Sequence, residues 1–289
     1  MKPTQTTEFA PAKVNLTLHV TGQRDDGYHL LDSLVVFCGI GDTVSVASAP
    51  TLSLTITGSR SGDLTAGDDN LVLRAARLFR ADGGAAITLT KRLPVASGIG
   101  GGSADAAATL RALSKMWDMP LPDHGQLLAL GADLPVCLLR RAARMRGIGD
   151  KVDVVASLPE MHIVLVNPNV QVPTPLIFKH LKNKNNTAMP DAFPKWRDAS
   201  DLALWLSTQR NDLQEPARSV APVISDVLGV LAHQPGALIA RMSGSGATCF
   251  ALFATADAAM IAATRIGAEQ RGWWAASGPV LQASDRNSP

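Results

Sequence analysis

The sequence has few aromatic side chains. Aromatic residues make up 4% of its 289 residues, and Tyr28 is the only tyrosine. The position of Tyr28 directly before His29 is therefore a feature that a functional interpretation has to explain.

Cysteine is also scarce. Cys38, Cys137 and Cys249 are isolated, odd in number and without metal-ligand spacing. This pattern excludes a disulfide framework and a cysteine-based metal site. It predicts reduced thiols and a cytoplasmic location.

Long apolar runs are missing as well. The uncharged stretch 161–178 contains Pro168, Pro173 and Pro175, which excludes a membrane helix. Residues 1–12 have no apolar centre of the kind that a signal peptide needs. We therefore expect a chain with no membrane partner.

The chain also lacks a strong charge of either sign. Its net charge of +2 is spread along the sequence, which argues against nucleic acid as a partner. The one local basic cluster, Arg140, Arg141, Arg144 and Arg146, is interpreted as a solvated face.

The length allows two domains, for which we predict the ranges 1–157 and 158–289. The order of strand and helix patterns predicts an α+β fold with helices on one face of a sheet. The alternation from Val14 to Val20 predicts one half-buried strand with Lys13 and Asn15 on its polar face. The polar, proline-interrupted segment 182–199 predicts a mobile surface insertion.

Helix-start residues and apolar spacing predict the helices. Asp69 is expected to cap a helix over 70–80, and Thr174 one that runs to Leu181. Further helices are predicted over 123–130, 134–139, 216–232 and 256–269.

The most informative segment is the glycine-rich run from Leu93 to Asp105. Glycines 98 and 100–102 allow consecutive backbone N–H groups to converge on one anion. Ser103 is expected to cap the alanine-rich helix that follows, whose positive end would face the same anion. The alternative is a flexible loop with a good helix cap. Neither the P-loop pattern nor the dinucleotide fingerprint fits this segment.

Four separated motifs together resemble the GHMP small-molecule kinases. They are Pro11-Ala12-Lys13-Val14-Asn15, the loop from Pro94 to Asp105, Gly131-Ala132-Asp133-Leu134-Pro135, and Ser243-Gly244-Ser245-Gly246. The resemblance implies a two-domain α+β fold with the active site in the cleft between the domains.

The resemblance also implies residue roles in phosphoryl transfer from ATP. Asp133 would accept the proton of the substrate hydroxyl, and Lys13 would keep that carboxylate ionised and orient the nucleophile. Taken alone, Asp133 is better explained as a helix cap before Leu134-Pro135, and Lys13 as a solvated strand end. The phosphate loop would comprise Pro94, Val95, Ala96, Ser97, Gly98, Ile99, Gly100, Gly101, Gly102, Ser103 and Ala104.

Further motifs resemble one branch of that superfamily. They are the run from Thr21 to His29 and the segment Pro173-Thr174-Pro175-Leu176-Ile177-Phe178. This branch phosphorylates the 2-hydroxyl group of 4-diphosphocytidyl-2-C-methyl-D-erythritol in the non-mevalonate isoprenoid pathway. The resemblance implies that Tyr28 and Phe178 stack on cytosine, and that His29 forms hydrogen bonds with it. The substrate-binding residues it implies are Asn15, Tyr28, His29, Thr174, Phe178, Ser243, Gly244 and Gly246.

The chain departs from the family pattern at two places. Ser103 is followed by Ala104 rather than a second serine, and the stretch 140–150 differs from the family motif, so it receives no ligand role. Mg²⁺ is expected from phosphoryl-transfer chemistry alone. The partner is expected to be a small cytidine diphosphate substrate, and the chain a monomer or weak homodimer. The alternatives are a homoserine-type or mevalonate-type kinase, or a nucleotide-binding sensor without turnover.

Overall fold

A computed structural model of the chain describes residues 4–79 and 83–282. Its first half forms a seven-stranded sheet around one long central strand. The strands are β1 (Gln5–Asn15), β2 (His19–Gln23), β3 (His29–Ala49), β4 (Ser53–Thr57), β5 (Gly84–Thr90), β6 (Ala143–Gly147) and β7 (Lys151–Val154). The order is β4-β5-β3-β6-β7. Strands β1 and β2 both pair with the edge of β3 that lies opposite to β5 and β6.

Four helices cover one face of this sheet. They are α1 (Leu71–Ala76), α2 (Gly101–Trp117), α3 (His124–Leu130) and α4 (Leu134–Leu139). Small side chains along α2, including Ala104, Ala107 and Ala108, are buried against the sheet. Because alanine lacks bulk, the backbone of α2 lies close to β1 and β3, and the start of this helix is held at a defined place.

The second half forms a four-stranded antiparallel sheet in the order β11-β8-β10-β9. Its strands are β8 (His162–Asn167), β9 (Ala237–Met242), β10 (Cys249–Phe253) and β11 (Trp274–Pro279), and its helices are α5 (Thr174–His180), α6 (Ala199–Ser207), α7 (Gln214–Val220), α8 (Val223–Ala232) and α9 (Ala256–Glu269).

The two sheets share one buried layer. Val14 and Val36 of the first sheet lie in the same apolar cluster as Leu165 and Phe250 of the second. This packing places the ends of β1 and β8 and the start of β10 near one another, and the loops attached at these points meet there. The α+β fold predicted from the sequence is confirmed.

Two predicted elements near the site are wrong in detail. Val14 to Val20 is not one strand, because the chain turns between β1 and β2, where the Thr17 hydroxyl accepts a hydrogen bond from the Leu34 amide. The predicted helix 216–232 divides into α7 and α8. Pro222 has no N–H group and disfavours helical geometry at Ala221, so the first helix ends there.

Two predicted helix caps are also wrong. Asn70, not Asp69, accepts the hydrogen bond from Val72 at the start of α1. That helix ends at Ala76, and Arg80 of its predicted range lies outside the described residues. The N-cap residue of α5 is Pro173, not Thr174. The Thr174 hydroxyl group instead forms a hydrogen bond with the Ser245 hydroxyl group at 2.7 Å.

Most of the segment 182–199 lies on the surface, as predicted, but it is anchored at one place. Met189 is buried, and the Arg144 guanidinium donates hydrogen bonds to the carbonyl oxygens of Met189, Pro190 and Asp191. Arg144 itself is buried beside Asp32, so the interpretation of the arginine cluster as a solvated face is wrong at this position. The sequence analysis also missed β6, β11 and α6. Across residues 4–79 and 83–282, no helix is long and apolar enough to cross a membrane.

Candidate active site

A cavity of about 430 Å³ opens where the loops of the two halves meet. Its walls come from β1, from the glycine-rich loop before α2, from the start of α4, and from the segments around α5 and β10. The predicted site residues on its lining are Lys13, Asn15, Ala96, Ser97, Gly98, Gly100, Gly101, Gly102, Ser103, Asp133, Thr174, Phe178 and Gly244.

The glycine-rich loop enters α2 through left-handed backbone. Gly98 has φ 74° and Gly100 has φ 62°, which glycine adopts without steric cost. Gly100 is the N-cap of α2, and its carbonyl oxygen accepts a hydrogen bond from the Ala104 amide at 2.8 Å. The prediction that Ser103 caps this helix is therefore wrong. The N–H groups of the first helical turn belong to residues 101–103, which line the cavity.

Other loop residues have structural contacts of their own. The Ser97 hydroxyl donates to the Pro94 carbonyl oxygen at 2.7 Å, and Ile99 is fully buried in the shared core. The Ile99 carbonyl oxygen accepts a hydrogen bond from the Lys13 amide at 3.0 Å. Backbone contacts thus attach the loop to β1.

Lys13 and Asp133 form an ion pair beside this loop. The Lys13 Nζ lies 3.0 Å from the Asp133 Oδ2, with the lysine side chain 5% and the aspartate side chain 30% exposed. Lys13 also donates to the Asn15 Oδ1 at 2.9 Å, and Asn15 in turn donates to the Ser33 hydroxyl at 2.7 Å. These contacts hold the ammonium group in one orientation, while the carboxylate stays accessible from the cavity.

The pair is also close to the glycine-rich loop. A Cβ atom at Gly100 would lie 3.1 Å from the Lys13 Cε and 3.7 Å from the Asp133 Oδ2. The β1 strand positions the lysine, and the turn before α4 positions the aspartate. A buried cation, an accessible carboxylate and free helix N–H groups therefore share one cavity wall.

The turn 243–247, between β9 and β10, packs backbone to backbone against the glycine-rich loop. A Cβ atom at Gly98 would lie 2.6 Å from the Ser243 carbonyl oxygen, and one at Gly244 would lie 2.7 Å from the Gly98 carbonyl oxygen. The Ser243 hydroxyl accepts a hydrogen bond from the Asn15 backbone N–H group and donates one to the Gly98 carbonyl oxygen. A Cβ atom at Gly246 would contact the side chains of Met242 and Ile224. Of the three residues predicted here, Gly244 is the one on the cavity wall.

Sequence reasoning gave no ligand role to Asn211, which holds this turn. Its side-chain amide donates to the carbonyl oxygens of Met242 at 2.8 Å and Gly244 at 2.9 Å. The buried amide and its two long-range contacts become visible only in the folded chain.

At the other end of the cavity, His29 stacks on Phe178 with ring centroids 4.5 Å apart and planes inclined by 22°. Burial and the positive charge of Lys184 lower the pKa of His29. The His29 Nε2 is buried without a hydrogen-bond partner within the described part of the chain. Tyr28 is 63% exposed and does not line the cavity. The structure thus brings together His29 and Phe178, and leaves Tyr28 at the rim.

A second cavity of about 300 Å³ lies on the other side of the glycine-rich loop. It shares Leu71, Ala96, Gly101 and Gly102 with the first cavity. Pro94 and Val95 line this second space, together with Leu64, Thr65, Asn70 and Lys91. The sequence analysis missed this cavity because its walls come from four separate segments.

Comparisons with known proteins agree with this architecture. Residues 70–152 match the family described as GHMP kinases N terminal domain, and residues 191–270 match GHMP kinases C terminal. A solved structure of a homoserine kinase from Cytophaga hutchinsonii shares the fold, with a TM-score of 0.65 at 20% identity, covering 98% of this chain and 96% of that one. The chain belongs to the GHMP kinases.

Closer relatives specify the branch. The 4-diphosphocytidyl-2-C-methyl-D-erythritol kinase of Ruegeria pomeroyi is 59% identical over 275 residues, covering 94% of this chain and 98% of that protein. The enzyme of that name from Paracoccus denitrificans is 54% identical, covering 97% and 99%. A crystal structure of 4-(cytidine 5'-diphospho)-2C-methyl-D-erythritol kinase superposes with a TM-score of 0.77 at 33% identity, covering 95% and 99%. Within the superfamily, this chain is a member of that kinase branch.

Proposed function

We propose that the chain uses ATP to phosphorylate the 2-hydroxyl group of 4-diphosphocytidyl-2-C-methyl-D-erythritol, a step of isoprenoid precursor synthesis. The observation that carries this proposal is the Lys13–Asp133 pair, 3.0 Å apart, beside the glycine-rich loop. The names of relatives at 50–59% identity supply the substrate.

The phosphate chain of the nucleotide is placed against the first turn of α2. Unpaired N–H groups and the positive end of the helix dipole favour an anion there. The cavity wall formed by residues 100–103 supports this placement, because it offers backbone rather than side chains. Glycine at positions 98 and 100 permits the loop to pack closely against neighbouring segments, since a Cβ atom added at either position would meet neighbouring protein atoms.

Phosphoryl transfer depends mainly on alignment and charge stabilisation, because its transition state is loose and anionic. Asp133 takes the proton of the substrate hydroxyl as the new O–P bond forms and the bond from the γ-phosphorus to the bridging oxygen of ADP breaks. Lys13 holds the Asp133 carboxylate at 3.0 Å and is itself held by Asn15.

Mg²⁺ neutralises phosphate charge in reactions of this kind. Among the described residues, no group of three or more His, Cys, Asp or Glu side chains could hold a metal ion. Mg²⁺ commonly keeps water and phosphate oxygens as ligands. We therefore propose that the nucleotide phosphates and water provide most of its ligands.

The cytidine end of the substrate is placed at Phe178 and His29. Phe178 and Thr174 line the cavity, and His29 combines an aromatic face with a buried, unpartnered Nε2. A cytosine ring offers both donors and acceptors along its edge, which suits an imidazole of lowered pKa that is neutral near pH 7.

The domain division at 157/158 is supported by the sheets, because β7 ends at Val154 and β8 begins at His162. The active site then lies in the cleft between the two domains. We also propose a cytoplasmic monomer or weak homodimer. Sedimentation at several protein concentrations tests the oligomeric state.

The function is tested by ADP release with Mg-ATP and the cytidine substrate, with homoserine and mevalonate in parallel. We expect turnover with the cytidine substrate alone. Asp133→Asn should lower kcat by about 10² to 10⁴ fold, the usual contribution of a general base. The control is Asp153→Asn, at an exposed ion pair with Arg146, which should keep the rate.

Each other outcome excludes part of the proposal. Turnover with homoserine or mevalonate would assign the chain to another kinase type. Nucleotide binding without turnover of any alcohol would indicate a sensor. An unchanged rate in Asp133→Asn would remove the proton-acceptor role of that residue while leaving the substrate assignment intact.

A further inference from the structure

A cluster of three buried charges lies behind the glycine-rich loop. The Lys91 Nζ is 2.6 Å from the Asp42 Oδ2 and 2.7 Å from the Asp105 Oδ2, and each of the three side chains is at most 3% exposed. Asp42 belongs to β3, Lys91 directly follows β5, and Asp105 lies in α2. Neither Asp42 nor Lys91 was identified from the sequence as a functional residue.

The two carboxyl groups of this cluster differ in their contacts. The Asp42 Oδ1 accepts hydrogen bonds from the backbone N–H groups of Arg92, at 2.5 Å, and Leu93, at 2.9 Å. The Asp105 Oδ1 is buried and has no hydrogen-bond partner within residues 4–79 and 83–282. Within the described residues, both oxygens of Asp42 are therefore hydrogen-bonded, whereas only one oxygen of Asp105 is.

Fully ionised, the cluster carries one uncompensated negative charge in the protein interior. Such a charge is costly, and buried groups respond by binding a proton. Burial, opposed by Lys91 and reinforced by Asp42, raises the pKa of Asp105 to about 7. Burial alone would also lower the pKa of Lys91. The carboxylates of Asp105 and Asp42 outweigh this effect of burial and raise the pKa of Lys91. The exchangeable proton of the cluster therefore belongs to Asp105.

The cluster touches the place where the nucleotide phosphates are proposed to lie. A Cβ atom at Gly101 would be 3.3 Å from the Lys91 Nζ. Asp105 follows one turn later in the same helix, and both Lys91 and Asp105 line the second cavity beside Gly101 and Gly102. A phosphate chain on the loop brings several negative charges close to this carboxyl group, in a poorly solvated environment that screens them weakly.

The other titratable groups around Asp105 are few. From α4, Cys137 keeps a neutral thiol, because burial raises its pKa. From β1, Lys13 lies on the far side of Gly100 and pairs with Asp133. The one charged residue of α1, Arg74, is exposed, and so is Asp69, which precedes α1 and lines the second cavity. Lys91 and Asp42 are thus the charges that act directly on Asp105.

We propose that nucleotide binding to the glycine-rich loop is coupled to the uptake of one proton from solvent by the Asp105 carboxyl group. The added proton makes the Asp42–Lys91–Asp105 cluster neutral and removes its repulsion of the phosphates. No other bond forms or breaks in this step. Asp105 is a positioning residue, and the inference rests on the proposed function only in that the loop binds a nucleotide.

The test is calorimetric titration of the full chain with a non-hydrolysable, Mg²⁺-loaded ATP analogue in buffers of different ionisation enthalpy. Titrations between pH 7 and 9 stay above the second pKa of a phosphate group, about 6. We expect a net uptake of a fraction of a proton per nucleotide. The Kd should rise with pH above 7, by at most tenfold per pH unit for one coupled proton.

Two matched variants assign the proton. In Asp105→Asn, which keeps the shape and removes the charge, the uptake should vanish and the Kd should become independent of pH. In Asp133→Asn, which removes the other carboxyl group near the phosphates, the uptake should persist. Loss of the uptake in Asp133→Asn, with retention in Asp105→Asn, would overturn the assignment.

If Asp105→Asn does not fold, the wild-type chain still decides the question. In ¹³C-labelled protein, one buried aspartate carboxyl signal that titrates near neutral pH should move to its protonated position when the nucleotide binds. Tight binding without proton uptake would overturn the inference and leave the proposed function standing. Absence of nucleotide binding would overturn both.

Discussion

The Ser243 hydroxyl donates a hydrogen bond to the Gly98 carbonyl oxygen, 3.0 Å away, and so joins the two glycine-rich loops. The Ser243 Oγ also accepts a hydrogen bond from the backbone N–H group of Asn15 at 3.1 Å. One fully buried side chain therefore connects the loop proposed to hold phosphate, the strand that carries Lys13, and the turn 243–247. The relative positions of Lys13, Asp133 and the phosphate loop depend on this connection.

Ser243→Ala should lower kcat/KM by about 10 to 100 fold. The change leaves a buried carbonyl oxygen and a buried N–H group without partners, which costs about 1–3 kcal/mol each, and part of that cost should appear as misalignment in the transition state. Steady-state kinetics and a melting curve measure the two effects. Ser207→Ala is the control, because that hydroxyl bonds only within its own helix. Wild-type kcat/KM in Ser243→Ala would contradict the role of the connection.

Gly98→Ala should abolish measurable turnover. The new Cβ would lie 2.6 Å from the Ser243 carbonyl oxygen, and φ of 74° disfavours alanine as well. Gly267→Ala, in the last turn of α9 with no atom of another element within 4 Å of the new Cβ, is the matched control. It should stabilise the chain by up to about 1 kcal/mol and leave the rate unchanged. Equal turnover rates in the two variants would show that the glycine-rich loop and the turn 243–247 can move apart without loss of activity.

Phe178→Leu should raise KM for the cytidine substrate several-fold while KM for ATP stays the same. The change keeps an apolar side chain but removes the aromatic face that stacks on His29. Tyr28→Leu should have the smaller effect, because Tyr28 is 63% exposed and outside the cavity lining. Parallel KM measurements for both substrates separate these cases. A larger increase of KM for the cytidine substrate in Tyr28→Leu than in Phe178→Leu would instead support the stacking of cytosine between Tyr28 and Phe178 that the sequence resemblance implies.

Glu8 links acid stability to a buried ion-pair cluster. It is 4% exposed and contacts Arg111 at 3.0 Å, together with Lys115 and Arg140. Burial alone would raise the pKa of Glu8, but hydrogen bonds from Lys115 and Arg111 lower it below its ordinary value of 4.5. The stability that ionised Glu8 contributes is therefore present above pH 4.5 and is lost as the pH falls through the lower folded-state value.

Glu8→Gln should reduce the free energy of unfolding at pH 7 by about 3 kcal/mol, as expected when one partner of a buried ion pair is removed. Urea titrations at pH 7 and pH 3 should show that the difference from wild type shrinks in acid. Glu215→Gln, at an exposed pair with Arg218, should have almost no effect at either pH. A constant difference at both pH values would contradict the linkage.

Much of the site was predictable from motifs that are local in sequence. The glycine-rich run before α2 indicated an anion site, because glycine spacing and helix-forming alanines act over a few neighbouring residues. Lys13 and Asp133 were proposed from the family resemblance, and the fold brings them within 3.0 Å. The prediction that Ser103 caps α2 failed because Gly100, in left-handed backbone, starts the helix three residues earlier.

Other features depend on contacts between distant segments. Asp42, Lys91 and Asp105 lie on three different elements, and each alone is an ordinary charged residue in the sequence. The same holds for Arg144 and Asp32, whose ion pair lies beside the buried Met189 in a segment that composition assigns to the surface.

The sequence by itself determined the class of fold, the kinase branch and the position of the glycine-rich loop before α2, because these rest on residue types at short spacing and on motifs in order. Only the tertiary structure decided which hydroxyl and carboxyl groups are free and which are bonded within the protein. Ser243 joins two loops instead of lying free in the cavity, and one oxygen of Asp105 has no partner among the residues that the structure describes. Hydrogen bonding and desolvation depend on three-dimensional neighbours, which linear spacing does not specify.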